Sequence, residues 1–485
     1  MLTYRTPGVH VEHVLTEPAR VLQTGVPVFL GLVREDALAA LKAQQTETGE
    51  RYVQKPLRSA AGVQLVRKQG YLTLPSRFFD PSSDLQISDR ASTNPQQYLR
   101  IVQPGRPTRE HRDTVRRSGG AAGATSQAPA APPALSDTPQ RFTVWPQFEQ
   151  TYGDLAPHGF LTYAVRGFFE NGGSLCYVQI VSYGGSSRAI DAALTAGLAS
   201  LEPYDDYDLV CVPDLVFVPD MPWEDDAWRD VDRVTELQGT VLEHCSRLGD
   251  RMAILDSLPG ANSDSVVEQR RRLTGENGAL YYPWVRVPGG PELTRGLVPP
   301  CGHIAGVYAR CDRRVGVHKA PANEVLEGVL DLETLLTDAR QGPLNEQNIN
   351  CLRAFPGRGI RVWGARTLSE RPGWGYVNVR RVLLTAARWI DRNMRGVVFE
   401  PHTPYLWDQI VRDLTAYFMD LARQGALYSP LSGEAFYVKC DAETNPQETR
   451  ESGMVVTEIG LQPPPPAEFL VIRIIHGPTG TRIEG

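Results

Sequence analysis

The chain has 485 residues, of which 41% are hydrophobic and 22% are charged, so it has an ordinary globular composition and the length of about two to four domains. Its formal net charge of −6 argues against a dedicated nucleic-acid-binding protein, because such proteins carry a basic binding surface. The first residues lack a basic segment followed by a long apolar run, and no apolar run approaches the ~20 residues that span a bilayer. We therefore expect a protein that folds in the cytoplasm, without a signal peptide and without insertion into a membrane.

The N-terminal residues alternate between apolar and polar side chains, which is the period of a β-strand. The alternation covers Thr6–Val14, and a strand this short must pair with a sheet of its own chain or of a neighbour. The next apolar run, Val26–Val33, predicts a buried strand. Residues 34–141 follow, with a centre rich in Pro, Ala, Ser, Gly and Arg that offers few groups to bury. We expect a variable surface insertion there, partly of low complexity.

From residue 142 to residue 299 the sequence alternates between apolar strands and amphipathic helices. The helix His158–Asn171 has apolar residues at spacings of three and four and ends at Gly172 and Gly173. Continuous apolar strands separated by helices indicate a mostly parallel sheet with helices on both faces. The predicted strands are Cys176–Val181, Leu209–Val212, Arg251–Leu255 and Ala279–Val287, and the other predicted helices are Ile190–Ser200, Val231–Leu248 and Val266–Leu273.

The last part of the chain predicts a second, mixed α/β domain followed by an arm. The proline run Pro463–Pro466 is a stiff extended spacer before a final strand, Phe469–Ile475. The other predicted elements are the helices Cys301–Arg313, Tyr376–Met394 and Tyr405–Gly425 and the strands Ile360–Trp363, Gly396–Phe399, Phe436–Cys440 and Gly453–Gly460. The predicted fold is a multi-domain α/β (α+β) protein divided into an N-terminal arm with the first core strand (1–33), the insertion (34–141), the α/β domain (142–299), a C-terminal core domain (300–460) and a C-terminal arm (461–485).

Two carboxylates give the best indication of catalysis. Asp214 and Asp256 each follow a predicted strand, and paired carboxylates at strand ends of an α/β sheet can hold Mg²⁺. Aspartate at such positions more often caps the next helix or makes a turn, and neither a nucleophile motif nor a phosphate-binding loop accompanies these two. We therefore expect no catalytic residue, cofactor or metal, and keep a metal-dependent α/β enzyme as an alternative.

Cysteines and arginines also favour structural roles. Seven cysteines are scattered without a CxxC pair, which predicts buried reduced thiols more readily than a metal site or a disulfide framework. Arginines gather on or at the end of the predicted helix Tyr376–Met394, but nearby acidic residues dilute their charge and no aromatic stacking platform accompanies them. A solvated face or salt bridges between subunits are favoured over nucleic-acid binding. These arginines are Arg380, Arg381, Arg388, Arg392 and Arg395.

Several runs of sequence are distinctive when taken together. They are GVYARCDRRVGVHKAPAN (306–323), LNEQNINCLRAFPGRGIRVWGARTLS (344–369), YVNVRRVLLTAARWIDRNMRGVVFEPHTPYLWDQI (376–410), VKCDAETNP (438–446) and GMVVTEIGLQPPPPAEFLVIRI (453–474). In these runs the chain resembles the contractile tail sheath proteins of phages, pyocin-like particles and extracellular injection systems. The resemblance is good over Gly306–Ile475 and loose over Thr6–Val33 and Phe142–Ile475.

The resemblance implies a structural subunit that polymerises in stacked rings around an inner tube. Such a sheath is built in a long state and collapses to a shorter, wider one, which drives the tube through a target envelope. The implied partners are further copies of this chain, an inner tube protein, and baseplate and terminal cap proteins. Assembly in the cytoplasm is implied, and the choice between a phage tail and a phage-tail-like injection particle stays open. A tail or baseplate cap protein that does not polymerise is a further alternative.

The resemblance also implies which segments meet other subunits. In the family, both chain ends add strands to the sheets of neighbouring subunits, through main-chain hydrogen bonds. The residues assigned to these arm strands are Thr6, Val9, Val11, Val14, Phe469, Val471, Arg473 and Ile475. The inner tube is expected to meet the helix Tyr405–Gly425 or the helix Tyr376–Met394. The charges assigned to the tube or to a neighbouring subunit are Arg380, Arg381, Arg388, Arg392, Arg412 and Asp413.

Overall fold

The computed structural model describes residues 22–39, 138–152, 155, 159–184, 187–216, 231–292, 294–371, 373–428, 435–462, 470–477 and 480–484. The chain divides into one unit of residues 1–38 and 135–485 and a second unit of residues 39–134, and the elements named below belong to the first unit. The predicted strand Thr6–Val14 and residues 40–137 of the predicted insertion lie outside the described residues. None of the described helices combines the length and the apolar character needed to cross a membrane.

A nine-stranded sheet forms the centre of this unit. The strands up to residue 363 are β1 (Pro27–Arg34), β2 (Gln140–Phe142), β3 (Cys176–Tyr183), β4 (Leu209–Cys211), β5 (Met252–Asp256), β6 (Gly278–Tyr282), β7 (Val285–Arg286), β8 (Leu297–Val298), β9 (Glu324–Val325), β10 (Asp331–Leu332), β11 (Ile349–Phe355) and β12 (Gly359–Trp363). The order in the large sheet is β2-β3-β1-β4-β5-β6-β11-β12-β9, and β10, β7 and β8 form a small separate sheet. The central strands from β3 to β11 pair in parallel, whereas β2, β12 and β9 pair antiparallel at the edges.

Helices cover both faces of the large sheet. Those up to residue 346 are α1 (Trp145–Tyr152), α2 (Leu161–Glu170), α3 (Ser187–Ser200), α4 (Val231–Leu248), α5 (Ser263–Arg272), α6 (Cys301–Arg314) and α7 (Asp338–Glu346). Consecutive residues of a strand point to opposite faces. Leu30 of β1 lies against Gly197 of α3, whereas Gly31 lies against Leu161 of α2. The predicted parallel sheet with helices on both faces is therefore confirmed.

Two of the predicted strands are wrong in detail. The predicted strand Ala279–Val287 is interrupted, because Pro283 has no N–H to continue the ladder and β7 joins the small sheet instead of the large one. The predicted strand Gly396–Phe399 is replaced by a 3₁₀ turn over Met394–Val397, which directly follows a helix. A short apolar run is compatible with either structure, and here the preceding helix continues into a tighter turn.

The predicted domain boundary at residues 299/300 falls within a single sheet. β9, β11 and β12 come after that boundary, yet β11 pairs with β6 and β12 pairs with β9 in the same sheet as β1. The short strand β9 has only two residues, and its position in the sheet depends on a partner far along the chain. We therefore place the end of the first domain after Trp363.

The C-terminal region builds its own core. Its elements are α8 (Val377–Asn393), α9 (Pro404–Arg423), α10 (Gln447–Glu451), β13 (Phe436–Lys439), β14 (Val455–Leu461), β15 (Leu470–Gly477) and β16 (Gly480–Glu484). The four strands form an antiparallel sheet in the order β13-β14-β15-β16. Ile410, Leu414 and Phe418, four residues apart on α9, are buried in one apolar cluster with Ile390 of α8 and Ile459 of β14. The predicted helices Tyr376–Met394 and Tyr405–Gly425 are confirmed.

Candidate functional site

The C-terminal strand predicted as an arm pairs with its own chain. In β15, Val471, Arg473 and Ile475 lie opposite Gly460, Glu458 and Val456 of β14, and β16 pairs with the other side of β15. The edges of this four-stranded sheet are β13 and β16. Edge strands present unpaired N–H and C=O groups that can accept a further strand. The assignment of Val471, Arg473 and Ile475 to a neighbour's sheet stays a prediction, and Phe469 and Thr6–Val14 lie outside the described residues.

The arginines of α8 lie against the large sheet. β1, β4 and β6 run parallel, so their N-terminal ends lie at the same end of the sheet. The helix α8 lies at this end. Arg380 donates from Nε to Oδ1 of Asn277, 2.6 Å away, directly before β6. Arg388 and Arg392 donate to the carbonyl oxygen of Asp205, at 2.8 and 3.1 Å, in the turn before β4.

The interpretation of these arginines as surface or inter-subunit charges is wrong for Arg381 and Arg388. Both are buried, and Arg380 is largely covered as well. Arg381 and Arg388 share one face of α8 with Val377 and Leu384, so the buried stripe of the helix carries two charges. Their partners are Asp208 and the carbonyl group of Asp205, which come before β4, and Asp312 in α6.

Arg381 is the centre of a buried ion cluster. Its Nη2 donates to Oδ2 of Asp208 at 3.0 Å, and Nη1 and Nη2 donate to the carboxylate of Asp312 at 2.8 and 2.5 Å. The guanidinium also lies over the ring of Tyr308, 4.8 Å from its centroid. Burial disfavours the charge of Arg381, but Asp312 and Asp208 outweigh that effect and hold the pKa of Arg381 above its usual value. Arg381 therefore stays charged across the pH range in which the protein folds.

The same cluster holds the start of β1. Asp208 accepts hydrogen bonds from the backbone N–H groups of Gly25, at 3.0 Å, and Val26, at 2.7 Å. The side chain of Thr24 lies near the carboxylate of Asp312 and favours its charged form. Gly25 and Val26 are thus bound to one of the two carboxylates that Arg381 holds, and Thr24 lies beside the other. We call residues 24–26 the arm root, since the predicted N-terminal arm lies before them in the chain.

The pair Arg412 and Asp413 lies on the exposed face of α9. Their side chains are 68% and 46% exposed, and their charged atoms are 3.7 Å apart. Tyr405, Asp408 and Met419 are exposed on the same helix, whereas its opposite face belongs to the C-terminal core. This face of α9 is therefore exposed in the described part of the chain, and its contact with an inner tube stays a prediction.

The side chains of Asp214 and Asp256 bind backbone N–H groups. Asp214 accepts hydrogen bonds from the N–H groups of Leu32, at 3.1 Å, and Phe160, at 2.6 Å, and Asp256 accepts from Cys301 N at 2.8 Å at the start of α6. Burial raises the pKa of Asp214 to about 6 and that of Asp256 to about 7. The preferred interpretation, a cap of the next helix or a local turn, is wrong in its partners, because Asp214 and Asp256 bind N–H groups at the starts of helices 54 and 45 residues away.

Metal ligation finds no support in the described residues. They contain no cluster of three or more His, Cys, Asp or Glu side chains that could hold a metal ion. The seven cysteines are all buried and free, which confirms the prediction of buried thiols. Burial raises the pKa of Cys301 well above its usual value and that of Cys351 to about 12, so these thiols stay protonated and unreactive.

Asp208, Asp312 and the arm root are functional candidates that the sequence patterns did not indicate. A signal was present in α8, where arginines recur at the buried positions 381 and 388 beside apolar residues. Buried arginine requires paired acids. Asp208, directly before a predicted strand, was one such acid, but its partner is 173 residues away in the chain.

Comparisons with known proteins agree with this organisation. A family model for the phage tail sheath protein central domain matches residues 190–368, and one for the phage tail sheath C-terminal domain matches residues 369–475. Together they take in more than half of the chain. Their common boundary lies after β12 and before α8, where the large sheet ends.

Individual relatives are similar over parts of the chain. A putative prophage major tail sheath protein of Pseudomonas aeruginosa (strain UCBPP-PA14) is 26% identical over 231 residues, which are 45% of this chain and 55% of the relative. The chain spans between 32% and 55% of the length of the curated relatives that it matches.

Solved structures extend the similarity to the fold. The sheath complex of PVC, an extracellular contractile injection system, in its contracted state is 28% identical with a TM-score of 0.55, over 69% of this chain and 85% of that one. The helical sheath of the anti-feeding prophage (AFP) in its contracted state has the same fold over 96% of this chain and 98% of that one, with a TM-score of 0.59 at 23% identity. The chain belongs to the contractile tail sheath protein family.

Proposed function

We propose that this chain is the subunit of a contractile sheath that polymerises around an inner tube and contracts to drive the tube through a target cell envelope. The observation that carries the proposal is the match of two adjacent sheath domain models to residues 190–475. The similarity to a contracted sheath complex of an injection system supports it. The proposed role is mechanical. The carboxylates of Asp214 and Asp256 accept hydrogen bonds from backbone N–H groups, which supports a structural protein over a metal-dependent enzyme.

Exchange of strands between copies is the proposed means of polymerisation. β15 and β16 form a hairpin that pairs with β14 through main-chain hydrogen bonds, and the same bonds form equally well when the hairpin comes from another copy. Residues 463–469 join β14 to β15, and their proline run predicts the extended spacer that the proposed exchange requires. The N-terminal segment Thr6–Val14 is the proposed second arm, with the sheet edges β13 and β16 as acceptors.

The exposed face of α9 is the proposed contact with the inner tube. Arg412 and Asp413 offer both signs of charge there, and Tyr405 adds an exposed aromatic ring. The buried arginines of α8 are not part of this contact, because their charges are already used within the chain. The tube protein, the baseplate and the terminal cap are the proposed partners, with assembly inside the producing cell before release or use of the particle.

Contraction is proposed to draw on apolar surface that becomes covered in the short state. Large apolar side chains left exposed include Phe399 (97%), Leu330 (64%) and Leu335 (63%). Burying about 100 Å² more apolar surface per subunit stabilises the short state by roughly 2.5 kcal/mol. Because every subunit contributes, the total grows with sheath length and requires no nucleotide hydrolysis.

Electron microscopy of the purified protein tests polymerisation. Hollow tubes with a cogwheel cross-section are expected. Discrete small assemblies would instead favour a cap or baseplate protein, and monomers with a hydrolytic activity would favour the enzyme. Either of those results would overturn the proposal.

Cysteine cross-linking tests the exchange of strands. Val456 and Ile475 are direct partners across β14 and β15, and the native cysteines are buried. Val456→Cys and Ile475→Cys, carried on two differently tagged copies and assembled together, are expected to give cross-links between chains after oxidation. Val456→Cys mixed with Arg412→Cys is the matched control, because Arg412 is on an exposed helix face. A chain that carries both Val456→Cys and Ile475→Cys shows whether a disulfide forms within one chain. If this double variant forms a disulfide and the mixed single variants do not, strand exchange between copies is refuted.

A further inference from the structure

The arm root is held by close packing and by hydrogen bonds. Gly25 has φ +69°, and a Cβ built on it would lie 2.5 Å from Cα of Ala309, so the backbone of the root rests directly on α6. Asp208 accepts hydrogen bonds from the N–H groups of Gly25 and Val26, and Thr24 lies beside Asp312. The path by which the chain enters β1 is therefore fixed by close packing and by hydrogen bonds to a buried carboxylate.

A single guanidinium joins both carboxylates. Arg381 is 2% exposed and forms bonds to Asp208 and to Asp312, which a planar fork can do at the same time. Without a cation between them, the two buried carboxylates would repel each other and lose their hold on the arm root. Arg381 is thus the residue on which the geometry of the cluster depends.

The cluster connects three parts of the chain that sequence separates. The root lies before β1, Asp208 and Asp312 lie in the region matched by the central sheath domain, and Arg381 lies in the region matched by the C-terminal sheath domain. The opposite side of α8 is packed in the C-terminal core through Leu383 and Ile390. Any pull on the root therefore has a direct covalent and hydrogen-bonded path into the C-terminal core.

A purely stabilising role would not need this chemistry. A buried ion cluster is often replaced by apolar side chains without loss of stability, so its presence is weak evidence for stabilisation alone. Resistance to mechanical tension is a different requirement. A strand pulled from its end can peel away one hydrogen-bonded pair at a time, and here the first pairs of β1 follow immediately after Val26. Holding the root's N–H groups prevents that peeling from starting.

We propose that Arg381, Asp208 and Asp312 form a clamp that transfers tension on the N-terminal arm from the arm root to α8 and the C-terminal core, so that β1 stays in the large sheet while subunits move. The proposal rests on the proposed function, because the arm carries tension only if it is attached to another subunit. Arg381 is accordingly a positioning residue for assembly and contraction, and not a contact to the tube.

Hydrogen exchange of the full chain tests the clamp itself. Arg381→Lys keeps the charge but cannot span both carboxylates, so exchange of the peptide 22–28 is expected to become roughly tenfold faster while peptides from β3 and β5 stay unchanged. Arg388→Lys is the matched control, because Arg388 lies on the same face of α8 but bonds to Asp205 and not to the root. Unchanged exchange at 22–28, or an equal increase throughout the sheet, would overturn the clamp.

Force measurement tests the transfer of load. Pulling the purified chain between its N-terminus and a handle at Arg412→Cys is expected to give a first rupture at lower force in the Arg381→Lys variant than in the parent chain and the Arg388→Lys control. Equal rupture forces in all three would overturn load transfer. Both measurements use the isolated chain, so they stand even if microscopy shows no tubes, and a failure of the proposed function is thereby distinguishable from a failure of the clamp.

Discussion

Replacement of Gly25 by alanine, compared with replacement of Gly249, separates the cost of a left-handed backbone from the cost of steric overlap. Gly25 has φ +69°, and a Cβ added there would lie 2.5 Å from the backbone Cα of Ala309, whereas Gly249 has φ +67° with open space around the same position. Gly249→Ala therefore reports the cost of the left-handed backbone alone, about 1 kcal/mol. Gly25→Ala adds an overlap with backbone that cannot rotate away, a further ~1–3 kcal/mol. The difference between the two variants is the cost of the overlap between the added methyl group and α6, which reports how closely the arm root packs there.

The free energy of unfolding in urea, followed by tryptophan fluorescence, measures this difference. Gly25→Ala is expected to lower it by about 2–4 kcal/mol and Gly249→Ala by about 1 kcal/mol. Both variants are Gly→Ala, so the effect on the unfolded chain cancels, and because the two glycines share their backbone conformation, the backbone strain in the folded chain cancels as well. A Gly25→Ala variant that is no less stable than Gly249→Ala would refute the close seating of the root on Ala309, and with it the fixed path into β1.

Three further predictions concern other parts of the chain. Asp256→Asn is expected to gain stability relative to the parent chain as the pH rises from about 4 to 7. Burial raises the pKa of Asp256 to about 7, so in this range the folded parent chain holds a proton that the unfolded chain has released. Urea unfolding at several pH values checks this, and a difference in stability that does not change with pH would contradict it. Leu414→Ala, in the C-terminal core, is expected to cost about 2–5 kcal/mol in the same assay, against less than about 1 kcal/mol for the exposed Met419→Ala, and equal losses would show that α9 is not packed as described. Reversal of the exposed pair by Arg412→Glu and Asp413→Lys is expected to leave stability unchanged within about 0.5 kcal/mol while reducing cosedimentation of sheath with inner tube, and undiminished cosedimentation would remove α9 as the tube contact.

Elements with a strong local pattern could be predicted from the sequence. The helix Val231–Leu248 begins and ends at the predicted residues, and the apolar run Val26–Val33 became the central strand β1 with a shift of one residue. Such segments satisfy their backbone hydrogen bonds locally or bury one continuous apolar surface, so their signal is contained in neighbouring residues. The strands β9 and β10, with two residues each, have no such signal and exist because a distant strand supplies the hydrogen bonds.

The roles of charged residues were decided by partners far along the chain. Charged residues such as Arg380, Arg381 and Arg388 are typical of a solvent-exposed helix face. The sequence pattern alone therefore favours an exposed position for them. Tertiary structure brings acids and carbonyl groups to α8 from 69 to 183 residues away. Asp312 and Asp208 outweigh the cost of burying the charge of Arg381, whereas burial lowers the pKa of Arg388. Asp214 and Asp256 depend on distant partners in the same way, because the N–H groups that they bind lie 45 to 182 residues away and no local pattern indicates them.

By itself, the sequence determined the family, the parallel sheet with helices on both faces, the strand character of β15 and the confinement of cysteines to the interior. The family is indicated by the distinctive runs between residues 306 and 474, which resemble those of sheath proteins, whereas the other properties follow from apolar periodicity and from residue types whose burial is favourable wherever they fall. Only the tertiary structure decided that α8 faces inward with its charges, that the large sheet extends to Trp363, and that Arg381 holds the carboxylate of Asp208 against the arm root. The reason is that a charge or a two-residue strand is stable only with a specific partner, and no local pattern states where in the chain that partner lies.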